Sequence, residues 1–594
     1  MVDRLGGLPG SAGAVRALKA LPAPPCKAGE DKEALSEDGT AGQDSYVPVR
    51  IRHHDQSVEE PHVAAIPRKR IESILNNERF LVSDGESVGF TAEERRAILE
   101  SSIPPFNAKL NVCLHAESAV SLYEGLLGRH LPWPTGFFTH YLGETQQARE
   151  LMTASPEDQE KATRYEQFIS DLSRSNEAYR QDGTRVFINI APAGHPAMPT
   201  FNAARLEISM APYPYRQNII EMERPFEDRD SVAHETGHLV NAALRPGWDE
   251  AKYSFDSDFE VCALREVFGD LTALFTALGD IETCREVLDE TGGDVTRSNR
   301  ASRISERGGD SLYFRYFDGT GTPRNERYLR NLANDFRYVP HGEAEPFSIG
   351  TAPVGSLYDD VYSFSQVFSG AVYDLMTALY LNSGGGAEAL KKSALKAAEL
   401  FSRAVEISPW WKPDFSTLAE CMLEADMMDS GGKNLALMKE VFQKRSLLTD
   451  ERIARAGQSL RELPSLNIKE ISQAPRDAAK ILASQGMLPG DEGLEVTQLF
   501  RHSNAVGETF IACSFEKPFK GAVDETPLDL STAILSDICD LTPDIRERGS
   551  LILKFDKEGK LVYRRSEGYH KADMAQHYLK IARHTPDTSP GGTS

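Results

Sequence analysis

The chain has 594 residues, a formal charge of −23 and 40% hydrophobic residues, with a mean hydropathy of −0.40 and a sequence pI near 5.2. That length exceeds what one hydrophobic core supports, so several domains are expected, and the acidic balance argues against a nucleic-acid partner, since phosphate binding is driven by clustered Lys and Arg. No run of eighteen apolar residues occurs, which predicts no membrane span.

Residues 1–45 are rich in Gly, Ala, Pro and acidic residues without periodicity and read as a disordered tail. Their Gly, Pro and charges interrupt what a secretory signal would need as an apolar core. The seven cysteines form no close pair and read as reduced thiols, so a cytoplasmic location is expected. The segment 46–108 reads as helical and irregular: PRKRI at 67–71 starts a helix, and TAEERRAILESS carries Thr91 followed by Glu94, the pattern of a capping box. His53 and His54 are adjacent, cannot face the same way on a strand and read as surface residues.

From 109, LNVCLHAESAVSLYEGLLG predicts an amphipathic helix, followed by a Pro-rich turn and polar helices through 180. TRVFINIAP and ARLEISMAP alternate and read as strands. The stretch from Asp228 to Leu244 reads as one helix, capped by Asp228 or Asp230 and stopped by Arg245, Pro246 and Gly247. Two strongly apolar helices are expected at 259–278 and 363–382, and several more over 387–447. Residues 451–470 read as a linker. ETFIACSF, GSLILKF and KLVYRRS read as strands of a small α+β domain spanning 471–590, closed by a helix near 571–583 that would carry His577 beyond His570.

SVAHETGHLVN at 231–241 carries the chemistry. Positions four apart share a helix face, so His234 and His238 can direct their imidazoles at one metal ion, while Glu235 flanks the ion and can deprotonate a water. With fourteen histidines in the chain, such a match arises by chance at roughly a few per cent, so the context has to carry it. A catalytic zinc needs a third protein ligand. In the apolar helix ALREVFGDLTALF, Glu266 and Asp270 lie four apart on one face, where buried carboxylates need a metal or a partner. Glu266 would serve as ligand and Asp270 as acceptor for a histidine ring N–H; the alternative is that Glu266 pairs with Arg265 or Arg285. No Walker-type phosphate loop and no GxSxG nucleophile elbow occurs.

HETGH followed 28 residues later by Glu266 in LREVFGDL resembles the HExxH-plus-glutamate arrangement of thermolysin-like gluzincin zinc metallopeptidases. The likeness runs over roughly 109–447 and implies an α+β, two-lobed fold: a mixed sheet-and-helix lobe over 109–244 and a helical lobe over 245–450. RLEISMAP after PTFNAA is similar to the family's edge strand, which implies substrate binding by Asn202 and Ala203, and YLRNLANDF implies a substrate-orienting Arg330. Tyr362 stands where the family has a transition-state histidine, and a phenol can donate to an oxyanion; His341 in RYVPHGE is held as a substitute. Arg265 replaces the Asn that usually precedes the third ligand, and WDEAKYSFDSDF reads as an insertion. Asp230 matches a position used for structural calcium in some members, but the expected acidic partner falls at Ala277, so calcium is not expected. The resemblance thus implies a Zn2+-dependent endopeptidase acting on a peptide or protein substrate, with His234, His238 and Glu266 as ligands and Glu235 as general base. Rival readings are a zinc hydrolase of another bond and a silent relative serving as a binding protein.

Overall fold

The computed structural model describes residues 46–51, 62–76, 78–101, 105–131, 186–190, 199–202, 206–210, 213–214, 222–245, 248, 259–306, 308–309, 328–346, 357–409, 413–460, 463, 465–469, 482, 495–503, 507–518 and 546–571. The tail, the His53 and His54 pair, the polar helices before 180, Ala203, the insertion over 249–258 and everything after 571 lie outside them.

Strands β1 (Tyr46–Ile51) and β2 (His62–Pro67) form an antiparallel pair. Helix α1 (Arg68–Leu75) then takes up the basic PRKRI stretch, and β3 (Phe80–Ser83) follows. Helix α2 (Ala92–Glu100) starts with the expected capping box: the Thr91 side chain accepts from Glu94 N–H, and the Glu94 carboxylate accepts from Thr91 N–H. Helix α3 (Ala108–Leu127) is capped by Asn107 and ended by Gly128 in the left-handed conformation. It buries residues around most of its circumference, so it is a core helix and not the one-sided helix its polar residues suggest.

Strands β4 (Val186–Asn189), β5 (Thr200–Asn202) and β6 (Glu207–Ser209) join β3 in a sheet of order β3-β4-β6-β5. β3, β4 and β6 run parallel, and β5 pairs antiparallel on β6. Among the described strands β5, which carries Asn202, lies at one edge and β3 at the other, while RLEISMAP supplies the interior strand β6. A short ladder of β7 (Tyr213–Pro214) with β8 (Met222–Glu223) leads to α4 (Arg229–Leu244). Between the two candidate caps Asp228 prevails, its carboxylate accepting from the N–H groups of Asp230 and Ser231.

Helix α5 (Phe259–Leu278) touches α3, α4, α6 (Ile281–Thr291), α7 (Val361–Leu381) and α8 (Ala387–Ile407). It is apolar on nearly every side, which is what a helix enclosed by others requires. Phe268 is fully buried, stacked on Tyr123 of α3 at 5.2 Å and set against Phe401 of α8. Truncation of such a ring to alanine costs about 3–5 kcal/mol. Between α6 and α7, β9 (Arg303–Ile304) pairs with β10 (Arg330–Asn331), so that Arg330 lies opposite Ile304.

Helix α9 (Phe415–Ser430) packs on α8 and carries the four-stranded antiparallel sheet β11 (Glu495–Ser503), β12 (Thr509–Pro518), β13 (Arg546–Phe555) and β14 (Leu561–Lys571). β12, β13 and β14 are the three expected strands; β11, with polar residues at most positions, escapes the alternation rule. His570 belongs to β14 and not to a helix. One face of this sheet joins the main core through Phe510, Ile552 and Tyr563. The Tyr563 hydroxyl donates to Glu424 of α9 at 2.8 Å, and Arg565 bridges Glu424 at 2.9 Å and Glu420 at 3.0 Å. The stretch read as a linker runs beside β14: Leu561 N–H donates to Leu466 and Ile468 N–H to Gly559. The architecture is mixed α+β. No described helix is long and apolar enough to cross a membrane.

Candidate metal centre

Helices α4 and α5 cross at a pair of glycines. A Cβ on Gly237 would sit 2.9 Å from the Gly269 Cα and 2.7 Å from the Thr272 hydroxyl, whose oxygen is hydrogen-bonded to Tyr123 of α3 at 2.8 Å. A Cβ on Gly269 would sit 2.5 Å from two atoms of the His234 imidazole. No side chain fits at either point, so the backbones approach closely and His234 lies flat against α5.

That approach sets the two faces against each other. His234 and His238 are one turn apart on α4, both buried, with ring centroids 4.7 Å apart and planes nearly perpendicular. Across from them, Glu266 of α5 has one carboxylate oxygen 3.3 Å from His234 Nε2 and the other 3.6 Å from His238 Nε2. Glu266 thus faces the histidines, and the alternative of a pair with Arg285 does not form, since Arg285 engages Glu282. One turn further on, Asp270 is fully buried and reaches His234 Nδ1 at 3.0 Å. This contact fixes the ring, with Nδ1 as donor and Nε2 turned toward Glu266.

Ligand atoms of His234, Glu235 and His238 lie within 4.8 Å of one another, a buried group that could hold a metal ion. Glu266, on the facing helix, has its carboxylate oxygens 3.3 and 3.6 Å from the two imidazole Nε2 atoms. Burial works against a charged imidazole, yet the hydrogen bonds to Asp270 and Glu266 outweigh it and push His234 up to about 10. Glu266 is held well below the usual carboxylate range, because His238 and His234 outweigh its desolvation.

Arg330 closes the inner wall. Its Nε lies 2.7 and 2.9 Å from the two Asp270 oxygens, and its Nη2 lies 2.7 Å from one of them. Tyr362, in the first turn of α7 behind the Asp360 cap, is 52% exposed, with its ring centroid 5.6 Å from the Arg330 Cζ. The Glu266 carboxylate, then partial burial and Glu235, raise the Tyr362 phenol against the pull of Arg330. The hydroxyl therefore stays a donor near neutrality.

Of the residues singled out in the sequence, His234, Glu235, His238, Glu266, Asp270, Arg330 and Tyr362 come together here. β5 with Asn202 packs beside α4, at one edge of its sheet among the described strands. His341 stacks on Phe259 at 3.9 Å and bonds Asp359 at 2.6 Å. Asp230 faces a cation already present in the chain, the Arg229 guanidinium at 3.4 Å. Two participants escaped the sequence reading, Gly237 and Gly269. Their signal is a glycine inside each of two facing helices, where it costs about 1 kcal/mol against alanine unless close packing requires it.

Comparison with protein-family models finds no match for this chain, and comparison with curated proteins finds none.

Proposed function

We propose that the protein is a zinc-dependent endopeptidase, as the resemblance of its motifs to thermolysin-like gluzincins implies. The observation that supports this best is the Glu266 carboxylate spanning two imidazole nitrogens, at 3.3 and 3.6 Å, with Asp270 anchoring one ring from behind. Tetrahedral zinc with bonds of roughly 2.0–2.1 Å sets neighbouring ligand atoms about 3.4 Å apart, which the two Glu266–imidazole separations match. His234, His238 and Glu266 would hold it. The chemistry it supplies when bound is polarisation of the scissile carbonyl and acidification of water.

The remaining work falls to the chain's own groups. Glu235 accepts a proton from the attacking water and delivers it to the leaving amine. Tyr362 donates its O–H to the oxyanion that develops on the carbonyl. The edge strand β5, with Asn202, offers backbone groups along which an extended peptide can lie as an added strand.

The test is metal analysis of the purified protein, followed by digestion of a peptide library with and without chelator. Glu235→Gln is expected to keep its zinc and to lose cleavage by orders of magnitude. Unchanged turnover in that variant would remove Glu235 from the mechanism. Zinc retention with no cleavage of any peptide would turn the reading toward another bond or toward a binding role.

A further inference from the structure

The family resemblance implies that Arg330 grips substrate, but its surroundings point elsewhere. Arg330 is only 7% exposed. The edge of its guanidinium is engaged by Asp270 through three contacts of 2.7, 2.7 and 2.9 Å. Its Nη2 passes 3.3 Å from His234 Nδ1, the ring atom that Asp270 also holds. The Cζ of the same group lies over the Tyr362 ring, 5.6 Å from the centroid. Asp270 itself is fully buried, and a carboxylate taken out of water needs a geometrically matched partner to stay where it is. The Nε and Nη2 donors of Arg330 are thus committed to Asp270, on the side of the group that faces the His234 anchor. Arg330 lies between the His234 anchor and Tyr362.

We infer that Arg330 is a positioning residue: it fixes Asp270 against the Nδ1 edge of His234 and seats the Tyr362 ring at the mouth of the site, so that metal retention and the setting of Tyr362 are coupled through one side chain. The inference rests on the metal-centre reading above. A planar fork is required for it. Lysine carries the charge but cannot make the bidentate contact or stack as a plane.

The experiment compares the full-length protein with Arg330→Met, Arg330→Lys, Tyr362→Ala and the Arg330→Met/Tyr362→Ala double variant. Zinc affinity is measured by competition with a chromophoric chelator, and kcat and KM on the best-cleaved library peptide. Arg330→Met is expected to weaken zinc binding about 10–100-fold, as loss of support behind a ligand does, and Arg330→Lys to recover only part of it. kcat falls in both, KM stays within about threefold, and the double variant loses less kcat than the product of the single losses. Unchanged zinc affinity with a raised KM alone would make Arg330 a substrate ligand and overturn the inference. Should Arg330→Met fail to fold because Asp270 is left unpaired, Arg330→Lys, which keeps a charge beside Asp270, carries the test: a zinc affinity lowered about threefold or more with KM unchanged supports the inference, and an unchanged zinc affinity overturns it. If the wild type holds no more zinc than a His234→Ala/His238→Ala control, the metal-centre reading fails separately. The coupling is then decided by metal-free unfolding of the Arg330 and Tyr362 variants: an interaction of about fivefold or more in the unfolding constant supports it, and additivity overturns it.

Discussion

Replacing Gly269 by alanine adds one methyl group where α5 meets His234. The new Cβ would lie 2.5 Å from His234 Nδ1 and Cε1 and 2.8 Å from Nε2, against an ordinary carbon contact of about 3.5–4.0 Å. The ring must therefore shift by about 1 Å, while Asp270 holds it from one side at 3.0 Å and Glu266 stands 3.3 Å from the other. Helix propensity favours the substitution by about 1 kcal/mol, and overpacking opposes it by about 1–3 kcal/mol. The net change in stability is then modest, roughly 0–2 kcal/mol of loss. Metal binding is far less tolerant, because ligand distances must hold to about 0.2 Å, and a 1 Å displacement disables one ligand. Gly125, in α3, is the control: nothing lies within 4 Å of its added Cβ, so Gly125→Ala should stabilise by up to about 1 kcal/mol. Denaturant unfolding and zinc content measured on both variants decide the matter. If Gly269→Ala gains stability as Gly125→Ala does and keeps its zinc, the helix crossing is looser than described and the reasoning fails.

Further outcomes follow from the same geometry. Tyr362→Phe keeps the ring against Arg330 but removes the donor, so peptide turnover should fall about 10–1,000-fold with zinc content unchanged; equal turnover would limit Tyr362 to packing. Asp270→Ala should weaken zinc binding about 10–100-fold, which equilibrium competition with a chelator measures. Lys109 is buried and bonded to Glu94 at 2.8 Å and Asp84 at 3.1 Å. Both carboxyls sit below their ordinary values: burial raises each, but is outweighed for Asp84 by the Ser87 N–H and Lys109 and for Glu94 by Lys109 and the Thr91 N–H. A depressed folded value contributes stability above the unfolded value, near 4, that is lost as pH falls through the folded one. Lys109→Met should therefore cost about 1–3 kcal/mol at pH 7 and less at pH 3, as read by denaturant unfolding at the two pH values.

The histidines, Glu235, Glu266 and Asp270 were legible because each stands at helical spacing on an apolar background, and period alone brings such residues to one face. The apolar helices over 259–278 and 361–381 were legible for the same reason. Arg330 was legible as a participant but not in its contacts. It reaches Asp270 across 60 residues, through a two-residue ladder that leaves no periodic trace. The crossing at Gly237 and Gly269 was invisible because a glycine in a helix looks like a weakness until the facing helix is known. β11 was missed because Glu495–Ser503 carries Glu, Gln, Arg and His among its apolar residues, and its strand character comes from pairing with β12.

Metal stoichiometry tests the central claim most directly. Elemental analysis of the purified full-length chain, set beside His238→Ala and Glu266→Ala prepared in parallel, should give about one zinc ion per wild-type chain and well under a tenth of that in either variant. Equal metal content in all three, or a wild type without zinc, would contradict the account.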